Sequence, residues 1–180
     1  DTPFTYKIKF GDVESEWIFL AADKPDHIKK MLSLEVTAAW GNEARELPKA
    51  VVDVMTQRVD RYPSLKDGGA TWAGVLLDTN APEEDHWWAI MSGDMPAPDW
   101  MPEVDRLTLI KPDNWSFYTQ PPAMLELKDQ GGTVTGYELN PNRENGKHTT
   151  QRYYKNQIQG KAARWIAVYI LNKYGTDQDG

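Results

Sequence analysis

The chain has 180 residues, with 27 acidic against 20 basic, no cysteine and a net charge of −7. That length suits one domain of ordinary size with a substantial core, and the missing cysteine excludes disulfides, thiol nucleophiles and Cys-ligated zinc. No apolar run approaches the ~20 residues that span a bilayer, while 40% hydrophobic residues with eight Trp, eight Tyr and four Phe exclude a disordered chain.

In chain order, Phe4, Tyr6, Ile8 and Phe10 alternate with Thr5, Lys7 and Lys9, the period of two of a half-buried strand. Gly11-Asp12 turns the chain, and Trp17 to Leu20 is the return strand. Asp23-Lys-Pro-Asp26 can cap a short turn or helix that presents His27. Leu32 to Trp40 alternates again and predicts a strand. Pro48 can open a helix because its missing N–H costs nothing in the first turn. Leu47, Val51, Met55 and Tyr62 then recur at helical spacing, and Pro63 stops the run.

Strands are predicted at Trp72–Leu77, His86–Ser92, Leu107–Ile110, Trp115–Tyr118 and Met124–Leu127. Between the second and third of these, Pro96, Pro98 and Pro102 surround Trp100 in an ordered excursion. Asp129 to Gly132 is a hairpin signal leading into a strand at Thr133–Leu139. After a polar loop at Asn140–Thr149, an apolar stripe of Ile158, Ala162, Trp165, Ile166, Tyr169 and Ile170 predicts a C-terminal helix. Gly175 can cap it, with a frayed tail from Gly175 to Gly180. The expected fold is a single soluble α+β domain over residues 1–180. A largely antiparallel mixed sheet packs with a central helix (about 47–62) and a C-terminal helix (about 152–174).

Motifs for catalysis are missing. His27, His86 and His148 have neither the i, i+4 spacing of a helical metal site nor an HExxH pattern, so they read as ordinary surface or loop residues. No G-x-S-x-G surrounds Ser92 or Ser116. Gly68-Gly69 and Gly131-Gly132 are turn glycines outside any phosphate-binding pattern, and no calcium-loop pattern occurs. The reading leans away from an enzyme and implies no metal and no cofactor.

Charge is unevenly placed. Arg143 to Tyr174 holds seven basic residues and one acid, leaving the preceding 142 residues strongly acidic. The basic segment offers Arg152, Lys155 and Lys161 beside Tyr153 and Tyr154, a nucleic-acid contact set in principle. The acidity of the chain argues instead for a solvated helix face.

Between Lys66 and Arg106 there is no lysine or arginine but nine acids, and Trp87, Trp88 and Trp100 lie in the same stretch. On a strand, Trp87 and Trp88 face opposite sides, so a sheet covered on one face exposes one of them. Indoles ringed by carboxylates suit the grip of a basic protein surface. The candidate contacts are Asp78, Glu83, Glu84, Asp85, Trp87, Trp88, Asp94, Asp99 and Trp100. The plainer reading makes both neighbouring tryptophans core and the acids solubilising.

The order of these elements carries a resemblance. The strand Leu32–Trp40, the helix from Leu47-Pro48 to Val59-Asp-Arg-Tyr-Pro63, the stretches Trp72–Leu77 and Trp87–Met91, and Leu107-Thr-Leu-Ile-Lys-Pro112 resemble the suppressor-of-fused-type domain of bacterial immunity proteins. The likeness covers about residues 30 to 112. Where that family has a Gly-His loop this chain has Gly68-Gly69-Ala-Thr, and an acidic position near Pro112 is missing. The resemblance implies a non-catalytic domain that binds and occludes a toxin.

The leading expectation is thus an inhibitor or immunity-type protein of the bacterial cytoplasm or periplasm. It would cover a basic partner protein, with no membrane span and with nucleic acid disfavoured. A second reading is a small cell-envelope enzyme or a carbohydrate-binding module using tryptophan platforms and carboxylates. A third is an assembly subunit, which would need a large apolar self-interface.

Overall fold

The computed structural model describes residues 4–22 and 25–175, with the backbone alone at Pro25 and Asp26. The capping role expected of Asp23 and Lys24, and the tail expected beyond Gly175, lie outside the described residues. The chain has an α+β fold that divides into two compact units, residues 1–78 and 79–180. Each is described by itself.

The first unit opens with an antiparallel hairpin, β1 (Phe4–Phe10) and β2 (Val13–Phe19), in the register Phe4↔Phe19, Tyr6↔Trp17, Ile8↔Ser15 and Phe10↔Val13. Opposite residues of an antiparallel pair share a face, so these eight side chains form one side, which is apolar except for Ser15. The other side carries the ion pairs Lys7–Glu16 and Lys9–Glu14. The alternation is as expected, but nearly every residue of both strands is exposed on both faces.

Helix α1 (Pro25–Leu32) follows, with Lys29 and Lys30 in its last turn, where cations complement the helix dipole. Helix α2 (Lys49–Arg58) starts behind Pro48 and buries Val51, Val52 and Met55. Arg58 donates to the carbonyl of Leu32 at 2.9 Å and so ties the two helix ends together. Strands β3 (Ala38–Gly41) and β4 (Gly74–Leu77) pair in parallel. Met31, Val51 and Met55 form the core here, with Leu20, Leu47, Val75 and Leu77 packed around them. Gly41 is closely covered: a Cβ there would lie 2.7 Å from a Leu77 methyl and 3.3 Å from the Met55 methyl, so those side chains would have to shift.

In the second unit, α3 (Trp87–Ser92) and α4 (Glu103–Thr108) flank the proline-rich loop. Strands β5 (Met124–Lys128) and β6 (Val134–Leu139) form an antiparallel hairpin closed at the Asp129–Gly132 turn. Two short helices follow, α5 (Gln151–Gln157) and α6 (Ala163–Tyr169). Met124, Ile166, Ile170 and Leu171 form one core cluster, with Tyr137, Leu139, Tyr154 and Trp165 against them. Buried Asn140 satisfies both ends of its amide, donating to Pro122 O at 2.8 Å and accepting from Asn142 N at 2.9 Å.

Several elements differ from the sequence expectation. Residues 86–92 are not a strand. Ser92, Gly93 and His86 supply helix-end chemistry, with the His86 ring accepting from Trp88 N at the start and Gly93 at φ 85° at the end. Residues 107–108 finish a helix that begins behind Pro102, and 115–118 pair with nothing as a strand. The strand expected over 32–40 shortens to 38–41, because Leu32 belongs to α1 and the backbone of Val36 and Thr37 bonds to residues 58–61. The central helix stops at Arg58, and Asp60 at φ 60° cannot continue it. The single C-terminal helix is two helices, interrupted at Gly160, whose φ of 70° is left-handed. Among the described residues the expected mixed sheet is three separate pairs, two of them antiparallel.

Candidate docking surface

The acidic stretch folds into a cleft because local bonds bring three of its pieces together. The backbone at Glu83–His86 turns, with His86 N donating to Glu83 O at 3.1 Å, and α3 follows at once. Gly93 in the left-handed region reverses the chain, and Met95 N bonds back to Ala89 O at 3.1 Å. Gly175 N reaches Pro82 O at 2.9 Å, and the Tyr174 hydroxyl donates to Asp94 Oδ2 at 2.5 Å. The result is an open cleft of about 550 Å³ lined by Glu83, Glu84, Asp85, Met95, Pro96, Pro98 and Gly175.

Three consecutive carboxylates and an apolar wall of Met and Pro therefore share one concavity. Burial first, and the Asp94 hydrogen bond second, hold the Tyr174 phenol above its ordinary value of 10.0. Tyr174 stays a proton donor throughout the neutral range, so Asp94 keeps this partner.

Beyond Pro98 the loop is held by one side chain. Arg106, on α4, donates through Nε to Met101 O at 2.9 Å and through a terminal nitrogen to Pro98 O at 2.7 Å and Asp99 O at 2.9 Å. Charge-assisted bonds of this kind exceed neutral ones in strength. The clamp explains how a loop with three prolines and few backbone bonds keeps a fixed course. Trp100 sits in the clamped segment and is 70% exposed.

The expected contact set separates into groups. Glu84, Asp85, Asp94, Asp99 and Trp100 are exposed, and Glu83 is half-buried at the cleft. Trp87 is only 8% exposed and belongs to the interior. Trp88 is half-buried, edge-on to Phe117 with ring centroids 5.2 Å apart. The strand argument that set these two indoles on opposite faces does not apply, because both lie in the first turn of α3.

Asp78 ends the first unit, where it accepts from the Trp40 indole N–H at 2.5 Å. Met95, Pro96, Pro98, Arg106 and Tyr174 were not singled out from the sequence. Three prolines around an aromatic were a visible signal for a shaped loop, but the reach of Arg106 and Tyr174 comes only from the fold. Among the described residues no three His, Asp or Glu side chains gather into a metal-ligand group, and no helix is long and apolar enough to cross a membrane. Compared with known proteins, the chain matches no family model, no curated protein and no solved structure.

Proposed function

We propose that this chain is a non-catalytic binding module that docks a basic segment of a partner protein in the acidic cleft of its second unit. The observation that carries the reading is the pairing of Glu83, Glu84 and Asp85 with an apolar wall of Met95, Pro96 and Pro98. A lysine or arginine has the same two parts, an apolar stem and a charged head. Trp100, held outward on the clamped loop, adds an anchor of the type that dominates binding energy at interfaces. A preformed loop also lowers the ordering cost of association.

The specific form of this proposal is an inhibitor or immunity-type protein that covers the basic surface of a toxin. It rests on the likeness over residues 30 to 112, of which 87–91 are helical rather than extended. The cleft is the firmer support, and it requires only that the partner be basic.

The test is association kinetics with a peptide of alternating arginine and leucine, measured against ionic strength. Replacing Glu83, Glu84 and Asp85 together with lysine is expected to slow association by at least about tenfold at low salt, with the difference shrinking as salt rises. An on-rate unchanged by the triple replacement contradicts the reading.

A further inference from the structure

We propose that the N-terminal hairpin is a self-association surface, through which two copies of this chain pack the apolar sides of β1 and β2 face to face. The proposal is independent of the acidic cleft. Its basis is a face that a lone chain leaves in water: Phe10 is 84% exposed, Phe4 69%, Tyr6 58% and Trp17 45%, with Val13 and Phe19 alongside. Scattered apolar side chains on a surface are ordinary, but a contiguous group of this kind marks an interaction site.

The area decides how much it can do. Aromatic side chains bury ~150–250 Å² each, so the five aromatics of this face with Ile8 and Val13 offer on the order of 800 Å², the share each partner brings to an interface of standard size. A two-stranded hairpin is marginal in water without a packed face, and a second hairpin supplies one.

The area fits a second copy, and charge argues against a strongly charged occupant. The opposite side holds Lys7 against Glu16 and Lys9 against Glu14, so its charges cancel in pairs. With Asp12 in the turn, the hairpin carries a single net negative charge, too little to hold off its own copy or to steer a strongly charged partner. The same balance, in a chain of net charge −7, gives no pull toward anionic lipid. Shape agrees with this choice. Ile8 opposite Ser15 is the narrow step of the face, between Tyr6–Trp17 and Phe10–Val13. A two-fold arrangement can seat the large side chains of one copy at the small step of the other, the isologous contact that closed dimers use.

The full chain, studied by sedimentation velocity over a concentration series, is expected to reach twice its 20.5 kDa mass. Phe10→Asp should weaken the dimer by at least about tenfold, while Thr5→Asp on the charged side should leave it intact. Phe4→Asp, on the same apolar side, gives a second readout and should weaken the dimer in the same way. A far-UV spectrum of each variant checks that the fold is kept. A chain that stays monomeric throughout the series overturns the proposal. So does a dimer indifferent to Phe10→Asp, or a monomer that instead binds neutral phosphatidylcholine vesicles.

Discussion

At the scale of single residues, the arrangement turns on side chains that act at a distance from their own place in the sequence. Arg106 is the clearest, since one guanidinium holds three carbonyls of the loop that carries Trp100. Arg106→Ala removes all three bonds and is expected to free the loop. Binding of a basic peptide should fall by roughly tenfold, mostly through faster dissociation, because loop ordering must then be supplied on binding. Arg106→Lys keeps the charge but not the fork that bonds several carbonyls, so it should recover little.

Glu126 offers a different check, on stability. Hydrogen bonds from Lys173 first, at 2.6 Å, and from Lys128 second hold its carboxyl below the ordinary 4.5. A depressed folded-state value means stabilisation that is present above the unfolded carboxylate range and is lost as pH falls through the folded value. Glu126→Gln should therefore cost stability at pH 7 and flatten the acid limb of a denaturation-against-pH series below about pH 4.5. An acid limb identical in the two proteins would show that this ion pair contributes nothing.

At the scale of elements, short helices bounded by glycine and proline are the recurring unit. Gly160 separates α5 from α6 at φ 70° with open space where a Cβ would stand. Gly160→Ala then strains only the backbone and is expected to cost about 1 kcal/mol in chemical denaturation. A neutral or stabilising result would mean that the two helices can run on as one.

The same punctuation decided what could be read in advance. The hairpins at 4–19 and 124–139 were legible because alternation and a turn signal coincided. Helix α2 was legible because Pro48 and an apolar spacing agreed. Residues 86–92 were misread because His-Trp-Trp-Ala-Ile-Met-Ser is rich in residues that favour strands, while His86 caps and Gly93 terminates a helix of under two turns. So short a helix shows no full period of 3.6 from which to recognise it. Of the docking surface, the acids and Trp100 were legible as composition. The burial of Trp87 was not, since it depends on which side of α3 faces inward.

At the scale of the molecule, charge is unevenly distributed along the chain, and one apolar face carries little of it. The acids of residues 67–105 lie in a stretch without lysine or arginine, residues 143–174 hold seven basic residues against one acid, and the first unit bears an uncharged aromatic face on its hairpin. Such a division lets one chain hold two kinds of contact, one steered by field and one driven by apolar burial. The two should respond to salt differently: peptide binding at the cleft weakens with ionic strength, and hairpin self-association does not. The most direct measurement is an amide and indole nuclear-magnetic-resonance titration with the arginine–leucine peptide at low salt. The expected result is a set of shifts confined to residues 83–85 and 94–100, including the Trp100 indole N–H. Shifts spread evenly over the acidic surface, or centred away from these residues, would contradict it.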